Sequence, residues 1–110
     1  RLCAMGDGFY KTKTEVIMKH IYKYDITEHL TLGNKLTIPC GAKFLSVQID
    51  PKNGHVCAWY MVDTSNPSES IKVHIFETGK PLPSEVDYMK YRGTLITPLG
   101  LVGHVFEERT

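Results

Sequence analysis

The sequence predicts an all-β domain of about seven antiparallel strands, arranged as a small sandwich or a partly open barrel. Three observations lead there. Short runs rich in β-branched and aromatic residues recur along most of the chain. Clusters of Gly, Pro, Asn, Asp and Ser separate these runs at short intervals. No stretch keeps a helical apolar period for the roughly ten residues a stable helix needs.

Residues Arg1 to Val16 have no clear period and include Gly6-Asp7-Gly8, so 1–17 is expected to be a peripheral lead-in, upstream of one all-β domain over 18–108. Whether that lead-in is upstream reading frame, appended residues or a genuine arm stays open. From Met18, the run Lys19 to Ile26 (KHIYKYDI) alternates imperfectly and reads as the first strand. Thr27 to Asn34 (TEHLTLGN) is polar and reads as a loop or a fraying strand end; Lys35 to Ile38 is a short strand stopped by Pro39. Gly41 then turns the chain into a central hairpin, whose apolar runs Phe44 to Ile49 and Val56 to Val62 flank Asp50-Pro51-Lys52-Asn53-Gly54. Pro51 presets φ, Asp50 can accept turn N–H groups, and Gly54 can take the left-handed conformation that closes the turn.

A loop over Pro51 to Gly54 places Ile49 opposite Val56, Val47 opposite Ala58 and Leu45 opposite Tyr60, giving one apolar face. The other face then carries Phe44, Ser46 and Gln48 against Met61, Trp59 and Cys57. Thr64 to Ser70 (TSNPSES) reads as a polar loop. Ile71, Val73 and Ile75 alternate with Lys72, His74 and Phe76 in a half-buried strand, which Thr78 to Pro83 (TGKPLP) ends. Ser84 to Met89 has room for about one helical turn. The last strands, Tyr91 to Thr97 and Leu101 to Glu107, form a second hairpin around Pro98-Leu99-Gly100. Sandwich or barrel depends on whether the first and last strands pair.

At 110 residues the chain can bury a core without disulfides or a structural metal. A formal net charge of +1 gives no electrostatic reason to expect nucleic acid as a partner. The three cysteines, Cys3, Cys40 and Cys57, are odd in number and widely spaced, which suits reduced thiols in a cytosol and disfavours a Cys40–Cys57 bridge. No run approaches the roughly 18 apolar residues of a membrane span, and no signal-peptide-like segment is recognisable. A soluble, cytoplasmic protein is the expectation.

The five histidines, His20, His29, His55, His74 and His104, form no HxH or HExxH, and there is no CxxC. His55 and Cys57 would project from one side of a strand about 7 Å apart, which supplies two ligands where a metal needs more. No metal and no cofactor are expected. A Cys-His-Asp set lacks any recognised motif, Gly6-Asp7-Gly8 lacks the strand and helix of a phosphate loop, and Glu107-Glu108 reads as a solvated end. Binding is therefore expected rather than catalysis.

Aromatic residues occur on nearly every strand, so the face opposite the main core is expected to carry a cluster, more often a second half of the core than an open surface. If that surface is open, Trp59 beside Ser46 and Gln48 is its centre. A small-molecule or nucleotide site would instead need an aromatic-lined cavity with polar or basic groups such as Lys72, His74 and Arg92. Sheet edges also leave room for a homodimer by edge pairing.

The motifs IYKY (Ile21 to Tyr24), GAKFLSVQ (Gly41 to Gln48), CAW (Cys57 to Trp59), Thr78-Gly79, Gly93-Thr94 and the closing Gly100-Leu101-Val102 with His104-Val105-Phe106-Glu107 resemble a group of small, uncharacterised proteins of tailed phages and prophages. The resemblance covers Met18 to Glu107. It implies an accessory protein in a bacterial cytoplasm that binds a host or phage protein, with sequestration of a small molecule or nucleotide as the alternative, and it implies no reaction. Two positions depart from the pattern: Lys80 stands where a histidine would be, and Gly103 where an aromatic would precede His104.

Overall fold

Seven antiparallel strands in two stacked sheets build the protein, as seen in a computed structural model that describes residues 18–30 and 34–109. The expected lead-in before Met18 and the Gly33 turn lie outside the described residues. The strands are β1 (Lys19–Asp25), β2 (Asn34–Pro39), β3 (Lys43–Ile49), β4 (Val56–Asp63), β5 (Ser68–Glu77), β6 (Lys90–Ile96) and β7 (Val102–Glu108). Single 3₁₀ turns, η1 (Thr27–Leu30) and η2 (Ser84–Tyr88), follow β1 and precede β6. One sheet has the order β1-β4-β3 and the other β2-β5-β7-β6. The first strand and the last lie in different sheets, so the architecture is a sandwich and the barrel is excluded.

The central hairpin forms for the reasons its turn residues suggest. Gly54 sits at φ +74° and donates its N–H to the Asp50 carbonyl at 2.7 Å, while an Asp50 carboxylate oxygen accepts the Lys52 N–H at 2.9 Å. The other Asp50 oxygen takes the Lys23 ammonium at 2.8 Å, which fastens β1 to the turn. Ile49 lies opposite Val56 and Val47 opposite Ala58, as expected. Beyond that point the register shifts between Phe44 and Ser46, and Phe44 rather than Leu45 faces Tyr60. The extra residue of a β-bulge reverses the side on which all earlier residues project. Phe44 is thus turned inward, its ring 5.6 Å from that of Tyr60, and Leu45 is left 42% exposed.

The core lies between the sheets. Val56, Ala58, Tyr60 and Val62 of β4 meet Leu36 and Ile38 of β2, Ile71, Val73 and Ile75 of β5, Leu95 of β6 and Val105 of β7, with Ile26 and Ala42 closing the ends. Burying each such Val or Ile stabilises the fold by about 1.5–3 kcal/mol relative to leaving it in water. Among the described residues no helix is long and apolar enough to cross a membrane.

Three expectations are refined or corrected. The segment read as a polar loop to Ser70 already enters β5 at Ser68, because Ser68, Glu69 and Ser70 pair with Pro39, Ile38 and Thr37; backbone pairing with β2 overrides their low strand propensity. Of the loop and the fraying strand end left open for Thr27 onward, Thr27–Leu30 takes the first, as a 3₁₀ turn: Asp25 accepts the Thr27 N–H at 3.0 Å and its hydroxyl at 2.6 Å, and the Thr27 hydroxyl accepts the Val56 N–H at 2.9 Å. The cysteines are not all reduced. Cys57 is a free, buried thiol, which rules out a bridge to Cys40, and Cys40 is itself disulfide-bonded. Cysteine usage therefore no longer argues for a reducing compartment.

Two glycines separate strain from crowding. Gly54 has open space around it but a left-handed backbone, so Gly54→Ala is expected to cost about 1 kcal/mol. A Cβ on Gly103 would stand 2.9 Å from Ile75 Cγ2 inside the sandwich, so Gly103→Phe is expected to cost about 3 kcal/mol or more by overpacking. Urea unfolding of both variants checks the order. The same contact explains why the aromatic anticipated before His104 has no room beside Ile75.

Candidate functional site

The six residues singled out from the sequence fall on three separate surfaces. Trp59, Ser46 and Gln48 share the outer face of the three-stranded sheet. Ser46 pairs with Trp59, the Gln48 amide donates to the Ser46 hydroxyl at 3.3 Å, and the Lys23 ammonium lies 5.8 Å from the Trp59 ring centre. Trp59 is half-buried, flanked across the strands by Lys23, so this face reads as a flat, basic-edged surface rather than a second core layer.

Lys72 and His74 lie on the outer face of the four-stranded sheet. Here β5, β7 and β6 bring together side chains distant in sequence. His74 stacks on Phe76 with ring centres 5.6 Å apart and planes 6° from parallel; Phe76 meets Phe106 at 5.6 Å, and Phe106 meets Tyr91 at 5.4 Å. His74 Nε2 also reaches a Glu108 carboxylate oxygen at 3.1 Å. The aromatic cluster expected opposite the core therefore exists, but on the second sheet and facing outward.

At one end of this row His104 is held by threonines on both ring nitrogens. Thr78 Oγ1 lies 2.6 Å from Nε2 and Thr94 Oγ1 2.9 Å from Nδ1, and the Tyr91 hydroxyl bonds Thr94 in turn. These residues border a cleft of about 260 Å³ formed by Phe76, Thr78, Lys80, Leu82, Tyr91 and Phe106. The sequence singled out neither Leu82 nor a pairing of Thr78 with His104, because Thr78 and Leu82 sit in a loop whose Gly and Pro residues mark only a turn.

Arg92 belongs elsewhere. A register shift between Tyr91 and Gly93 leaves Tyr91 outside against Phe106 and points Arg92 inward, where its guanidinium covers the Phe44 ring at 5.0 Å and donates from Nη2 to Glu107 at 3.1 Å. Glu107, expected as a solvated end, is 1% exposed. Its carboxylate accepts the Tyr60 hydroxyl at 2.6 Å and the Nε–H of Arg109, whose Nη2 donates to the Ala42 carbonyl at 2.8 Å and whose Nη1 stands 3.8 Å from Glu69. Period-two alternation from Val105 could have placed Glu107 on the inner face; its position near the chain end and its neighbour Glu108 masked that signal. Burial alone would raise the Glu107 pKa, but hydrogen bonds from Arg109, Tyr60 and Arg92 outweigh it and hold the carboxyl below its ordinary value. Burial, followed by the adjoining Glu107 carboxylate, pushes the Tyr60 phenol far up. Beside this network a cleft of about 560 Å³ opens, lined among others by Lys43, Phe44, Tyr88, Lys90, Arg92 and Arg109.

His55 does find a carboxylate, Asp25, at 2.6 Å, but the Cys57 thiol is directed at the His55 carbonyl at 3.9 Å. Burial pushes the Cys57 thiol pKa up, away from the thiolate a nucleophile needs. Among the described residues no three His, Cys, Asp or Glu side chains are grouped closely enough to hold a metal ion.

Two stability tests follow from these networks. Glu107→Ala leaves Arg92 and Arg109 without their shared anion and is expected to cost about 3–5 kcal/mol, whereas Tyr60→Phe removes one hydrogen bond and should cost about 1–3 kcal/mol; urea denaturation measures both. Bonds from Thr27 and then His55 hold the Asp25 carboxyl at about 2 against an ordinary 3.8. A carboxyl depressed in the folded state adds stability above its unfolded value and loses it as pH falls through the folded one. Asp25 is largely exposed, so screening reduces its share to about 1 kcal/mol or less. Melting temperature should therefore fall between pH 3.8 and about 2, and Asp25→Asn should flatten that part of the profile.

Comparison with known proteins adds one finding. No curated protein and no solved structure matches the chain. One family profile, described as Domain of unknown function (DUF7352), matches residues 18–110, which takes in the whole described sandwich. The chain belongs to this DUF7352 family.

Proposed function

We propose that the domain is a protein-binding module, and that it binds through the outer face of the four-stranded sheet. One observation carries this reading: His74, Phe76, Phe106 and Tyr91 form an unbroken row of rings across three strands, with no layer of this chain's described residues over Tyr91, which is 56% exposed. Leu82, 49% exposed, borders the same surface through the Phe76 and Tyr91 cleft. Amphipathic rings over a rigid sheet, edged by Lys72, Lys80 and Glu108, match the make-up of interface centres and rims. The setting is that of a phage or prophage accessory protein acting on a host or phage protein in a bacterial cytoplasm; this part rests on the resemblance of the sequence motifs. The Trp59 face supports the reading less well, since Lys23 already lies over the indole and no second aromatic among the described residues adjoins it on that face.

Exposed positions allow a test that spares the core. The immobilised protein is used to capture a partner from bacterial lysate, and the purified partner is then titrated against variants. Tyr91→Glu with Leu82→Glu should weaken binding by about tenfold or more, while Trp59→Ala leaves it within about twofold. A partner that binds the Tyr91 and Leu82 variant as tightly as the unaltered protein removes this surface from consideration.

A further inference from the structure

We propose that the cleft between β3, η2 and β6 binds a small phosphorylated molecule that carries a flat ring, of the mononucleotide class. The inference stands apart from the protein-binding reading, because the cleft shares no residue with the aromatic row.

Charge is the first reason. Lys43, Lys90, Arg92 and Arg109 line the cleft against a single carboxylate, Glu107. That carboxylate is already committed to Tyr60, Arg92 and Arg109, and Arg109 is spread over Glu107, Glu69 and the Ala42 carbonyl. The remaining donors are uncommitted: Lys43 and Lys90 make no ion pair among the described residues, and Arg92 Nε is buried with no hydrogen-bond partner among them. A buried N–H without a partner is rare, and it leaves Arg92 the guanidinium on this lining whose positive charge is least compensated. Two lysine ammonium groups without ion pairs among the described residues, on a lining that also carries two guanidiniums and one carboxylate, match a dianionic phosphate monoester better than a monocarboxylate, which would leave positive charge uncompensated.

Size and surface supply the second reason. About 560 Å³ falls within the range of small-molecule clefts. Arg92 covers one face of the Phe44 ring, so the ring left to stack on a ligand is Tyr88, which is 86% exposed on η2 and makes no aromatic contact among the described residues. The protein's net charge of +1 gives a long polyanion little to follow beyond the cleft itself.

Isothermal titration at low salt, with AMP, inorganic phosphate and adenosine as probes, tests the assignment. AMP is expected to bind with a sub-millimolar Kd, phosphate about tenfold more weakly, and adenosine not at all up to about 10 mM. Lys43→Ala with Lys90→Ala should weaken AMP by about tenfold or more, and Tyr88→Ala should bring AMP down to the level of phosphate. These residues are exposed, and an unchanged melting temperature without ligand confirms that the variants fold. Failure of both AMP and phosphate to bind at about 10 mM, or an AMP affinity unaltered in the lysine double variant, overturns the site. Equal affinities for AMP and phosphate overturn the role of Tyr88. A single-stranded oligonucleotide that binds more tightly than AMP and loses affinity in the lysine variant would overturn the small-molecule assignment in favour of nucleic acid.

Discussion

Glu107 is the constraint around which one end of the sandwich is arranged. Its carboxylate, 1% exposed on β7, is reached by Tyr60 from the opposite sheet, by Arg92 from the neighbouring strand and by Arg109 just past its own strand. A charge so placed is tolerable only because charged and neutral donors reach both of its oxygens at once. The consequence is geometric. Tyr60 fixes the spacing of the two sheets at that end, and Arg92, drawn inward by the carboxylate, must occupy the extra position of the β6 bulge.

The two bulges act as a pair. In β3 the shift at Leu45 turns Phe44 in; in β6 the shift after Tyr91 turns Arg92 in, and the two meet as guanidinium over ring. Each would be awkward alone, since an arginine on an inner face needs both an anion and a flat surface to cover. The same bulges move Tyr91 outward to join Phe106 and leave Leu45 in solvent. One local irregularity in each sheet thus produces a basic cleft at the end and completes an aromatic row on the outside. It follows that the two candidate binding surfaces depend on a common structural device, though they share no residue.

The sheet edges are handled differently from the faces. The sheet-order edges are β1 and β3 in one sheet and β2 and β6 in the other. Two of these four carry a bulge, and β2 ends in a proline, devices that discourage further strand pairing. Faces rather than edges are therefore the better places to seek partners in this fold.

Local signals were sufficient for the all-β class, the number of strands, the hairpin turn with Asp50 and Gly54, and the 3₁₀ turn before β6, because each is set by φ preferences and short-range hydrogen bonds that neighbouring residue types dictate. The aliphatic face of Val47, Ile49, Val56 and Ala58 was legible for the same reason: a period of two needs no knowledge of the partner strand. What tertiary structure alone decided lies wherever that period breaks or a polar residue finds distant partners. The bulges at Leu45 and Arg92 arise from how strands fit against one another, so Phe44 and Leu45 exchanged sides and Arg92 left the company of Lys72 and His74. Glu107 looked solvated because its carboxylate is polar and near the chain end; it is buried because Arg92, Arg109 and Tyr60 arrive from elsewhere in the structure to receive it, and Arg109 also stands near Glu69, in the segment read as a polar loop. Pairing of β5 with β7 and β7 with β6 likewise gathered His74, Phe76, Phe106 and Tyr91 into one surface, an assembly that strand order creates and that no single segment encodes.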